Sequence, residues 1–119
     1  MTVKEFYAAI GGNYEDAIKR LMNDAFVTKF VGKFLADKNC ENMIKAFESG
    51  DYQTAFTASH TLKGICANLS FTELQNVADR LCETVRHGAP TEDVSGMLEE
   101  AKKSYAKLIL NIGLLTEGK

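Results

Sequence analysis

A single proline, Pro90, stands in 119 residues, and runs of β-branched residues are few. Proline breaks a helix wherever it falls inside one, so this chain is free to be helical over long stretches. Its apolar residues recur three and four apart, the spacing of one helix face. The expectation is an all-α protein. Gly11-Gly12-Asn13 separates a short helix, about Val3–Ile10, from a second short one that Asn13 can cap. A long amphipathic stretch runs from about Asp24 to Ser49, and its Phe26, Phe30, Phe34 and Phe47 are expected in the core. Asp37-Lys38-Asn39-Cys40 kinks or divides that stretch, with Asn39 a further cap residue. Asp51 caps the next helix, to about Leu69. Ser70-Phe71-Thr72-Glu73 has the S-x-x-E form of a capping box and opens a helix to about His87. Gly88 and Pro90 close it, and Thr91 opens a last helix to about Ile112. Four substantial helices joined by short turns predict an antiparallel four-helix bundle over about residues 24–112, closed at one end by the short helices of residues 1–22. The whole, residues 1–119, reads as a single domain.

Composition narrows the function classes. A net charge of −2 gives no basic footprint, so nucleic-acid binding is not expected. No apolar run approaches a membrane span, and "MTVKEFYAAIGG" lacks the layout of a signal peptide. Cys40, Cys66 and Cys82 are odd in number, far apart and without metal-ligand spacing. They read as free thiols in a reducing cytoplasm, and no metal site is expected. A monomer is expected, and Met1 with a self-contained bundle favours a free-standing protein.

One stretch breaks the helical rule. In "SHTLKGICANLS", Ser59–Ser70, a glycine sits mid-helix beside a histidine and a lysine three apart. Projecting Asp51–Leu69 at about 100° per residue groups Ala55, Ala58, Leu62, Ile65, Cys66 and Leu69 as the core face. His60 falls on the far side, roughly 160° from the centre of that face. Gly64 and Ala67 share its stripe, and Lys63, Phe56 and Gln53 flank it. Mid-helix glycine costs about 1 kcal/mol relative to alanine, and a solvent-side position has no core crowding to excuse it. What Gly64 offers is a missing side chain next to the imidazole, where another surface can approach. Lys63 can reach across towards His60 and stabilise negative charge built on the ring, such as a phosphoryl group. Phe56 and Ala67 make the stripe partly apolar, as a docking patch is.

"SHTLKGICANLSFTEL" resembles the signature of histidine-containing phosphotransfer (HPt) domains, in which A-H-x-L-K-G precedes small residues, a break and an amphipathic helix. His60, Leu62, Lys63 and Gly64 match it position by position, and the similarity extends over about Asp24–Ile112. The resemblance implies a four-helix bundle whose exposed histidine carries a phosphoryl group between receiver-domain aspartates. His60 is then the phospho-acceptor through Nε2, Lys63 the charge stabiliser and Gly64 the clearance for the partner. Response-regulator receiver domains and a hybrid sensor kinase are the implied partners. The receiver would bring Mg²⁺, and the chain itself would need no cofactor. With no phosphate-binding loop in the sequence, it should not phosphorylate itself from ATP.

Two positions depart from the family pattern. Ser70 stands where glycine is usual, and the capping box offers it another way to make the turn. Cys82 stands where a glutamate or glutamine often orients the histidine through Nδ1, and a thiol is a weak partner. Arg86 projects near Cys82 and lends positive potential to the docking face, whereas His87 reads as a helix-end residue. Asp16, Asp24 and Asp79 form no carboxylate pair. The rival reading is a non-phosphorylated helical-bundle module that binds a receiver domain or another partner, and Cys82 is the feature in its favour. A metal-dependent bundle enzyme would need inward Glu and ExxH ligand sets, which are not found.

Overall fold

In the computed structural model, which describes residues 1–117, the chain starts on a reciprocal cap. The Glu5 N–H donates to Thr2 Oγ1 and the Thr2 N–H donates to Glu5 Oε1, opening helix α1, Val3–Ile10. Gly11 ends it in the left-handed region at φ 67°, where glycine carries no Cβ penalty. Asn13 then caps α2, Tyr14–Leu21, by accepting the Asp16 N–H. Both short helices stand as the turn residues foretold.

The long stretch divides. Helix α3, Asp24–Lys33, passes into a 3-10 turn, Phe34–Ala36, and α4 covers Asn39–Ser49. Asn39 is the first helical residue rather than the cap. Asp37 takes its backbone N–H and side-chain amide, so the capping side chain stands two residues before Asn39. Phe34 and Phe47 are buried as expected, but Phe26 and Phe30 are 43% and 37% exposed. Splitting the helix re-aims α3, and Val27, Thr28 and Val31 become its inward residues.

Asp51 caps α5, Tyr52–Leu69, through the Thr54 N–H. The capping box expected at Ser70 does not form. Ser70 ends α5 in the left-handed region at φ 59°, as a glycine would, and its hydroxyl donates to Asp16 Oδ2 at 2.7 Å. Glu73 sends its N–H to the Gly11 carbonyl and pairs its carboxylate with Lys107. Helix α6, Thr72–Thr84, stops before His87. The last helix, α7, spans Ser95–Glu117 rather than starting at Thr91 and ending near Ile112. Asp93 takes the Ser95 N–H, while the Thr91 N–H is used up on the Thr84 carbonyl.

Side-chain pairs show how α4 to α7 run. Lys63 of α5 meets Asp79 of α6, while Glu73 and Arg80 of α6 meet Lys107 and Glu100 of α7. On the other side Glu41 and Glu48 of α4 meet Tyr105 and Lys102 of α7. Each neighbour runs opposite to the next, giving an antiparallel four-helix bundle. Met43, Leu62, Cys66, Ala78, Leu81 and Leu108 fill its centre. At one end α1 and α2 fold over the α5–α6 turn. Phe71 meets Phe34 and Phe6 edge-on at 5.3 and 6.2 Å, and the Tyr7 hydroxyl donates to the Leu69 carbonyl. Among the described residues there is no strand, and no helix is long and apolar enough to cross a membrane.

Candidate functional site

Two facing helices, α5 and α6, build the site. Helix α5 buries Ala55, Ala58, Leu62, Cys66 and Leu69, which turns His60 outward. The imidazole is exposed, as the projection required; Ile65, assigned to the core face, lies half-buried at its edge. Gly64 is open: a Cβ built there meets no other atom within 4 Å. Internal packing therefore does not demand the glycine, and the bare backbone faces solvent beside His60.

Lys63 leaves the same helix sideways. Its Nζ lies 3.1 Å from Asp79 Oδ1 of α6. His60, Lys63, Gly64 and Ala67 form one wall of a shallow depression, and Gln75, Asn76 and Asp79 form the other. The sequence reading missed this second wall. A signal for it existed, because Lys63 and Asp79 lie at comparable distances either side of the Ser70 turn and an antiparallel hairpin brings such positions together.

The remaining candidates separate. Phe56, one turn before His60, is half-buried and stacks on the imidazole, with ring centroids 5.9 Å apart and planes at 15°. Arg86 is exposed; its guanidinium lies over the Phe56 ring and is paired with Glu83. Gln53 lies two turns before His60 and lines a polar groove against Asn39 and Asn42 of α4 instead. Cys82 does not share the exposed surface that carries the imidazole. It is fully buried, with Sγ 4.0 Å from the Phe56 carbonyl, because the face of α6 that carries Ala78 and Leu81 carries Cys82 with them. A buried thiol cannot touch a docked surface. His87 sits exposed in the turn after α6. No group of three or more His, Cys, Asp or Glu side chains is arranged to hold a metal ion among the described residues.

An exposed histidine flanked by lysine and a bare glycine, on the second helix of an antiparallel bundle, is the arrangement that the signature implied. A family model for the Hpt domain matches residues 34–109, from the 3-10 turn through most of α7. The chain belongs to the Hpt domain family. It is accordingly a histidine phosphotransfer module of two-component signalling, and Hpt domains are phosphocarriers rather than kinases. Neither the curated proteins nor the solved structures compared with this Hpt domain gave a match.

Proposed function

We propose that this Hpt domain carries a phosphoryl group on Nε2 of His60, taking it from one receiver-domain aspartate and passing it to another in a phosphorelay begun by a hybrid sensor kinase. The observation that carries the reading is the outward His60 beside an open Gly64. A neutral imidazole has a free nitrogen lone pair. That pair attacks phosphorus of the aspartyl phosphate. The bond from phosphorus to the aspartyl oxygen breaks, and its electrons return to the carboxylate. The product ring is a phosphoimidazolium, whose Nδ1 proton is free to leave to water.

Such transfer depends on positioning and charge stabilisation, which suits a carrier with few groups of its own. Lys63 supplies the cation. Its present partner, Asp79, is more than half exposed, and exposed pairs contribute about 0–1 kcal/mol, so the lysine is cheaply released to a phosphoryl oxygen. The approaching receiver brings Mg²⁺ and the aspartate, and Gly64 and Ala67 give its surface room. The alternative, binding without transfer, draws on Cys82 standing where a glutamate or glutamine often orients the histidine, and the intact set of His60, Lys63 and Gly64 favours transfer over it.

Incubation with phosphorylated receiver domains and Mg²⁺ tests the reading. The parent protein is expected to take up an acid-labile, base-stable phosphoryl group, and His60→Gln to take up none while keeping its helicity. Label persisting in His60→Gln would overturn the assignment.

A further inference from the structure

A carrier histidine needs its ring plane fixed while both ring nitrogens stay available. A hydrogen-bond acceptor achieves the first by occupying one nitrogen. Here Cys82 is buried beneath the Phe56 carbonyl and Lys63 is turned to Asp79. The group that meets the imidazole is Phe56. Its spacing, four residues before His60, puts both rings on one stripe of α5. Their planes are 15° apart at 5.9 Å between centroids, within the range of an offset stack.

Phe56 is itself held. Its ring packs partly into the bundle core, and the Arg86 guanidinium lies 5.9 Å from its centroid. Arg86 is fixed in turn by its fork on the Glu83 carboxylate. A stack engages the π face of the imidazole and leaves Nδ1 and Nε2 at its open edge. It also favours the product, since the ring turns cationic as the N–P bond forms, and a cation over an aromatic face is attracted to it. An interaction that strengthens along the reaction lowers the barrier.

We propose that Phe56 is the positioning residue of the carrier histidine, setting the plane of the His60 imidazole by stacking and steadying the phosphoimidazolium that forms. This rests on His60 being the phosphoryl acceptor. The step is the one already written, with no further reactant.

The test compares parent, Phe56→Leu, which keeps apolar bulk without a ring, and Phe56→Tyr, which keeps the ring. Phe56→Met replaces the leucine variant if that one is unstable. Two quantities are read: the proton NMR shifts of the His60 ring, assigned by their loss in His60→Gln, and the single-turnover rate of transfer from a phosphorylated receiver. Loss of the aromatic ring is expected to move the His60 resonances and to slow transfer at saturating receiver by about two- to tenfold. Phe56→Tyr is expected to restore both. Unmoved resonances, or transfer at the parent rate once the ring is gone, would overturn the role of Phe56 and leave His60 as carrier. A parent protein that takes no phosphoryl group would overturn the reading of His60 and this proposal together, an outcome recognisable because parent and variants fail alike.

Discussion

At the scale of single residues, the site depends on what Gly64 lacks. A Cβ there meets nothing inside the molecule, so its conformational cost is not repaid by packing. Replacing it by glutamine is expected to leave stability unchanged or raise it by about 0.5 kcal/mol, since glycine is the poorer helix former. Transfer from a phosphorylated receiver should nevertheless slow, because the new side chain stands where the partner approaches His60. Urea denaturation and single-turnover kinetics on one preparation separate the two effects. A Gly64→Gln protein that transfers at the parent rate would show that the open backbone serves something other than docking. His60, Lys63 and Gly64 could be named from the sequence because helical geometry settles which face they take, and the projection put His60 outward correctly. Phe56 could be placed on the flank but not on the ring, since a stack depends on two rotamers that periodicity does not reach. The burial of Cys82 was out of reach for a related reason: its neighbourhood is set by the rotation of α6, which Ala78 and Leu81 fix from the core side.

At the scale of elements, the α5–α6 turn is held by segments distant in sequence. The Asn13 N–H donates to the Ser70 carbonyl and the Glu73 N–H to the Gly11 carbonyl, so the α1–α2 connection and the site's hairpin share backbone bonds. Ser70 pays for its left-handed conformation with the bond to Asp16. Gly12 lies at the crossing. A Cβ there would come within 2.7 Å of Tyr7 Cδ1 and 2.8 Å of the Ser70 carbonyl oxygen, and the latter is backbone with little freedom to move. Gly12→Ala is expected to destabilise the protein by about 1–3 kcal/mol, the range for overpacking, read as a lowered denaturation midpoint. A midpoint equal to the parent's would mean that the end cap is looser than the packing implies. Local capping rules succeed at Thr2, Asn13 and Asp51, where the partner is a few residues away. They fail at Ser70 and Glu73, whose partners are Asp16, Gly11 and Lys107. Helix α7 runs past its expected end near Ile112: Leu115, beyond Gly113, is buried, and tertiary packing outweighs a glycine's propensity cost.

At the scale of the whole molecule, the bundle encloses all three cysteines. Burial pushes the Cys40 thiol up to about 12 and moves Cys66 upward as well, while Cys82 is fully enclosed. Thiolate is the reactive form, so none of the three should react with a thiol reagent in the native protein. Labelling with an aromatic disulfide at mildly alkaline pH should be slow, and all three thiols should become reactive together across the urea transition. Fast reaction of one cysteine without denaturant would place that thiol outside the closed core.

The central claim is that one nitrogen of one exposed histidine carries the phosphoryl group. Nitrogen–proton NMR of the ¹⁵N-labelled protein, recorded before and after phosphorylation by a receiver, tests it most directly. The account predicts phosphorus coupling at Nε2 of His60 alone, with His87 unchanged. Phosphorus on Nδ1, on His87, or on no histidine would contradict it.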